Sequence, residues 1–186
     1  RGQANNEPLG CLGDLGWYNI RFSLCAFGYD MPSQASCQFL ESTAEGVPVT
    51  ATAVLRWADG RSATFDCSFR RALRQWAEVV SDSHVLRLDD FVITQGPTAR
   101  YEVSTAAIGP KALFFPKRVV ETKTLTPALS QNAALVVAFA KLVVDGALPN
   151  EFWPRVALQT QAVVDACMAS GKKGGAWTDV HVAPTL

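Results

Sequence analysis

Histidine is almost absent. Only His84 and His181 occur in 186 residues. Neither lies near a cysteine or a second histidine in sequence, so a zinc centre has no ligand set to draw on, and no metal site is expected. His84 stands in "SDSH" and reads as a turn residue with a structural role. Charge of one sign is also missing. Lysine plus arginine total 17 and aspartate plus glutamate total 17, giving a net charge of zero. Nucleic acid is therefore not the expected partner, because phosphate binding needs a basic excess or a basic patch. The densest basic run, "FRRALR" from Phe69 to Arg74, reads as a solvated loop or helix end.

Long apolar runs are lacking too. The longest, "AALVVAFA" from Ala133 to Ala140, falls far short of the roughly 18 residues a membrane span needs. No signal-peptide pattern is visible, and no membrane partner is expected. The chain opens at Arg1 without a methionine, as a fragment or a processed form would. Cysteine pairs of the C-x-x-C kind are absent. The five cysteines, at positions 11, 25, 37, 67 and 167, are odd in number, and three sit in apolar periodic segments. They read as reduced, mostly buried thiols of an intracellular and by default cytoplasmic protein. What is present is the composition of one globular domain: 48% hydrophobic and 18% charged residues.

The pattern along the chain gives a fold class. Residues 1–13 are polar and glycine-rich and read as a loop. A helix is expected from Asp14 to Phe27, closed by a left-handed Gly28 and kept closed by Pro32. "VTATAVLRW" (Val49 to Trp57) alternates with period two, and "ADGR" signals a hairpin. Burial selects the register. A three-residue loop with Gly60 at positive φ pairs Trp57 with Arg61, Leu55 with Ala63, Ala53 with Phe65 and Ala51 with Cys67, which gathers the apolar residues on one face. Thr50, Thr52, Val54 and Arg56 are left on the other, against Ser62, Thr64, Asp66 and Ser68. Further strands are expected at Gln75–Val80, Val85–Asp89, Phe91–Thr94, Tyr101–Ser104 and Lys117–Lys123. Two helices follow, Gln131–Asp145 with Ser130 as cap and Gly146 as stop, and Pro154–Gly171. Helix, many strands, then helices is an α+β order, with an open, mostly antiparallel sheet and helices on one face.

One stretch of the first helix carries chemistry. At about 100° per residue, Asp14, Tyr18 and Arg21 fall within an arc of about 60° on an otherwise apolar helix. An acid, a phenol and a guanidinium in one stripe suit the wall of a cleft. A phenol of ordinary pKa near ~10 needs a neighbouring cation to move a proton near neutrality. Spacing alone favours a plainer account. Asp14 would be an acid at a helix N-terminus, Tyr18 a core aromatic, and Arg21 a surface partner of Asp14.

"LGCLGDLGWYNIRFSLCAFGYDMP", "VPVTATAVLRWADGRSATFDCSF", "EVVSDSHVLRLDDFV" and "FWPRVALQTQAVVDACMASGKKGG" together resemble the C-terminal domain of the Gfo/Idh/MocA oxidoreductases. The resemblance covers nearly the whole chain, residues 1–186. It implies a substrate-binding and dimerisation domain with an open sheet, whose exposed face makes a homodimer. The family's Asp-x-x-x-His or Asp-x-x-x-Tyr pair falls on Asp14 and Tyr18. The tyrosine form is similar to the glucose–fructose oxidoreductase and dihydrodiol dehydrogenase branch. By that resemblance Tyr18 is the acid/base and Asp14 an orienting group; Trp17 and Arg21 join them as substrate-wall residues from the helical wheel. The implied substrate is a sugar or a cyclic diol or carbonyl compound, and the implied cofactor is NAD(P). The family's N-terminal Rossmann domain and its Glu-Lys-Pro motif are absent from this sequence. "GCLGDLG" (Gly10 to Gly16) lacks the G-x-G-x-x-G pattern, and "GKKGG" (Gly171 to Gly175) reads as a terminal turn. No residue here is assigned to the cofactor, which the missing domain would bind. The alternative is a binding or dimerisation module without catalysis.

Overall fold

The computed structural model describes residues 7–94, 96–105, 119–146 and 151–181. The chain forms two compact units. One joins Arg1–Arg71 to Pro149–Leu186, and the other is Ala72–Leu148.

The first unit opens earlier than expected. Helical backbone starts at Gly10, not Asp14, so the segment read as a loop is partly helix. Leu12–Gly16 is a π-helical stretch, and α1 (Trp17–Ala26) continues from it. α1 turns Ile20, Ser23 and Leu24 inward, and the Ser23 hydroxyl donates to Asn19 O at 2.9 Å. It stops where glycine allows. Gly28 takes φ +66°, Tyr29 follows at +65°, and the Tyr29 N–H reaches back to Leu24 O at 2.7 Å.

The unit's sheet runs in the order β3 (Ser62–Ser68), β2 (Pro48–Arg56), β1 (Gln34–Ser42), β8 (Thr178–Asp179), all antiparallel. The hairpin register is the one burial selects. Ala51 faces Cys67, Ala53 faces Phe65 and Leu55 faces Ala63; Trp57 N–H donates to Arg61 O at 2.9 Å, and Gly60 has φ +94°. Arg61 completes the turn by donating from its backbone N–H and its Nε to Asp59. That backbone N–H, with the guanidinium beside it, holds the Asp59 carboxyl below the usual carboxylate range.

β1 was not expected. Its inward residues Ala35, Cys37 and Phe39 alternate with Ser36, Gln38 and Leu40, and it pairs along most of β2. The long helix α3 (Phe152–Lys172) lies on β1 and closes the core with Val163, Val164 and Cys167. It begins two residues before Pro154. Close packing is enforced near its end, since a Cβ on Gly171 would sit 2.1 Å from Phe39 Cε1.

The second unit is a meander, β4 (Ala77–Val80), β5 (His84–Leu88), β6 (Ala99–Thr105) and β7 (Val119–Leu125), again antiparallel. The α+β class is the expected one, with the strands dealt between two four-stranded sheets. Phe91–Thr94 is a series of bends rather than a strand, because the Gln75 side chain takes the Ile93 N–H and O into its own hydrogen bonds. Lys117 and Arg118 of the expected seventh segment lie outside the described residues. "FRRALR" is irregular backbone whose residues 70–74 are exposed, whereas His84, read as a turn residue, begins β5 and hydrogen-bonds back to Ser81 and Ser83. α2 (Gln131–Val144) has Ser130 Oγ accepting from Ala133 N–H at 3.2 Å and Gly146 at φ +61° beyond its end. Among the described residues, no helix is long and apolar enough to cross a membrane.

All five cysteines are free thiols, and only Cys25 is exposed. Cys67 donates to Cys11 across 3.7 Å. That hydrogen bond, and then burial, push the Cys67 thiol well above the ordinary range; a bond to Cys37 and burial do the same for Cys167. Alkylation needs access to the sulfur, so iodoacetamide at pH 8 is expected to label Cys25 alone in the native protein. Peptide mass spectrometry checks this. Labelling of Cys67 or Cys167 at a comparable rate before denaturant is added contradicts the packing described.

Candidate functional site: the wall formed by the first helix

Asp14 sits half-buried in the middle of the π-helical stretch, and Tyr18 is the second residue of α1 with 46% of its surface exposed. A π turn bonds five residues back and is wound more loosely than an α-helix. The straight α-helical wheel from position 14 therefore does not hold as drawn, although Tyr18 and Arg21 lie on regular helix. Trp17 packs half-buried against the core, which fixes the direction of α1 at Tyr18. Ile20 and Leu24 are fully buried on the opposite side. Tyr18 and Cys25 thus line the outer side of a helix that is anchored beneath.

Arg21 turns toward α3. Its Nε donates to Thr160 Oγ1 at 2.9 Å, and its guanidinium lies 5.8 Å from the centre of the Trp17 ring. Burial lowers the pKa of Arg21, partly offset by the Tyr29 and Cys25 side chains nearby. A guanidinium keeps its charge regardless. The Tyr29 phenol is pushed up, first by its hydrogen bond with Cys25 and then by burial. Its ring meets Phe152 edge-on at 5.4 Å, and its carbonyl accepts from Gln159 Nε2 at 3.2 Å. Thr160, Gln159 and Tyr29 belong to this wall, and sequence reading missed them. Nothing in local pattern joins position 21 to position 160; only the packing of α1 on α3 does.

The glycines of "GCLGDLG" do a different job from a phosphate loop. A Cβ on Gly10 would lie 2.1 Å from Pro48 O, one on Gly13 would lie 2.6 Å from Leu9 Cβ, and one on Gly16 would lie 3.6 Å from Cys67 Sγ. The chain's own atoms fill the space a pyrophosphate would need. The ladders of the two sheets are antiparallel, without the βαβ crossover that shapes a dinucleotide site. The described residues therefore do not fit a nicotinamide dinucleotide. A hollow of about 330 Å³ in the second unit is lined by Asp89, Asp90, Thr94, Thr98, Ala99 and Arg100 and contains none of the expected site residues. No group of three or more metal-ligating side chains occurs among the described residues.

Residues 1–87 match the model of the GFO/IDH/MocA C-terminal domain family. The match spans the π-helical stretch, α1 and the strands through most of β5, so the Asp14–Tyr18 wall lies inside it. The solved structures agree on the fold. An NAD-binding oxidoreductase from Klebsiella pneumoniae superposes with a TM-score of 0.67 at 16% identity, covering 97% of this chain and 53% of that one. A levoglucosan dehydrogenase solved with NADH and levoglucosan gives 0.66 at 16% identity, covering 100% and 53%. The 3-ketoreductase KijD10 from Actinomadura kijaniata, solved with TDP-benzene and NADP, gives 0.65 at 23% identity, covering 87% and 47%. The chain spans about half the length of these structures.

Proposed function

We propose that the chain is the substrate-binding and proton-transfer half of an NAD(P)-dependent oxidoreductase acting on a sugar or a cyclic diol or carbonyl compound. The reading rests on the Asp14–Tyr18 pair, carried on the outer side of the first helix within the family-matched residues. Relatives of the same fold that hold NADH with levoglucosan, or NADP with a TDP compound, support the reaction class. Nicotinamide supplies the hydride chemistry and is held by a nucleotide-binding half outside residues 1–186. Within this chain Tyr18 exchanges the proton of the reacting hydroxyl or carbonyl oxygen. Asp14 orients the substrate or the phenol, and Trp17 and Arg21 complete the wall. The direct test is the turnover of a Tyr18→Phe enzyme.

The same reading assigns the open face of the first sheet to a homodimer. Thr52, Val54, Ser62 and Thr64 present small, uncharged side chains on the side away from α1 and α3, while Thr50 and Ser68 join hydroxyls at 2.7 Å. The charged residues on that side of β2 and β3 are Arg56, opposite Ser62, and Asp66, opposite Thr52. Replacing both Thr52 and Thr64 with lysine is expected to turn a dimer into a monomer in light scattering. A dimer that survives both lysines, or a wild-type chain that stays monomeric at high concentration, removes the assignment.

A further inference from the structure

We propose that Arg21 binds an oxyanion of the substrate, so that the site takes a sugar acid or sugar phosphate rather than a neutral sugar. The inference rests on the reading of the first helix as a substrate wall and adds the substrate's charge.

Among the described residues, Arg61, Arg70, Arg87 and Lys123 each pair with a carboxylate. Arg21 has no such partner, although it is more enclosed than the exposed Arg56, Arg100 and Arg155. Its recorded contacts are Thr160 and the Trp17 ring. The neighbouring groups are equally poor in negative charge. α1 contributes Cys25, the corner after it Tyr29, and α3 Gln159 and Thr160. A partly buried cation without a counter-charge is costly, and a bound anion removes that cost.

The guanidinium is also held ready. Thr160 is fully buried and gives its own proton to Val156 O at 2.8 Å, which leaves its oxygen to accept from Arg21 Nε. With Nε fixed, the two Nη groups form the free edge of the fork. That edge matches the two oxygens of a carboxylate or phosphate in parallel hydrogen bonds. The seam between α1 and α3 holds a second unmatched group. Gln159 Oε1 is shut from solvent and has no hydrogen-bond partner, while Nε2 of the same amide donates to Tyr29 O. The unmatched cation calls for a ligand with an oxyanion.

Side-chain Nε–Hε resonances of isotope-labelled protein can be followed during titration with D-glucuronate, D-glucose 6-phosphate, D-glucose and inorganic phosphate. Saturable shifts of the Arg21 resonance are expected with at least one sugar anion, and which anion binds tighter tells carboxylate from phosphate. Glucose should leave the resonance in place. Arg21→Gln should weaken sugar-anion binding about 10- to 100-fold, the scale of a hydrogen-bonded charge pair. Arg21→Lys keeps the charge and the stem but not the fork, so it should lose affinity at an unchanged melting temperature; it decides the matter if Arg21→Gln fails to fold. Thr160→Val should weaken binding less than either, as a positioning residue would. The proposal is overturned if no probe moves Arg21, if glucose binds as tightly as the anions, if inorganic phosphate binds as tightly as the sugar anions, or if Arg21→Lys binds as wild type. This failure is separable from failure of the catalytic reading. Loss of turnover in Tyr18→Phe without anion binding overturns only the present inference, whereas anion binding with normal Tyr18→Phe turnover overturns only the other.

Discussion

Tyr18→Phe is expected to lower kcat by about 10²- to 10⁴-fold, the usual scale for removing a positioned proton-transfer group. The measurement needs an enzyme in which residues 1–186 work beside a nucleotide-binding half, natural or taken from a relative. The fold should be indifferent. Tyr18 is nearly half exposed, the side chains that anchor its helix are Ile20 and Leu24, and the aromatic ring survives the change. A surface change of this kind shifts stability by no more than about 0.5 kcal/mol. Loss of turnover without loss of stability therefore isolates the hydroxyl. Asp14→Asn should cost less than Tyr18→Phe, because an amide still orients through hydrogen bonds. A Tyr18→Phe enzyme with near-normal kcat would return Tyr18 to an ordinary half-exposed aromatic and the pair to coincidence.

Gly10→Ala is expected to be the most damaging single-methyl change. Gly10 is buried with φ +58°, and a Cβ there would meet the backbone oxygen of Pro48 at 2.1 Å and Val47 Cγ1 at 2.9 Å. The left-handed backbone costs an L-residue about 1–2 kcal/mol and the overpacking about 1–3 kcal/mol, so the sum is about 2–5 kcal/mol. Against a typical domain stability of about 5–15 kcal/mol, that is a large fraction. Gly28→Ala is the internal control. Its φ is +66°, but no atom lies within 4 Å of the added Cβ, so only the backbone cost of about 1–2 kcal/mol remains. Urea midpoints of the two variants measure the difference. Equal shifts would mean that the start of the helix can move away from β2, contrary to the close contact at Pro48.

The same glycine marks where local reading stopped. "GCLGDLG" has glycine at every third position, and polarity made it look like loop. In the fold Gly10 and Gly13 are places where the chain's own atoms come too close for a side chain. Glycine spacing reports that something is near, not what it is. β1 was missed for a related reason. Its inward residues Ala35, Cys37 and Phe39 are small or half-covered, so their alternation is weak until β2 and α3 lie on either side of it.

Sequence alone determined whatever follows from nearest neighbours along the chain. The β2–β3 register came from alternation plus one glycine turn, the stops of α1 and α2 from Gly28 and Gly146, and the α+β class from element order. It also set Asp14 and Tyr18 four positions apart, across what the fold makes the junction of the π-helical stretch and α1. Tertiary structure decided the rest. It set a π turn where a straight helix was drawn, divided the strands between two sheets, and turned Arg21 toward Thr160, 139 positions away. Periodicity sees only which face of an element is apolar. Which other element covers that face, and which polar group is left there without a partner, is settled by packing between segments far apart in the chain.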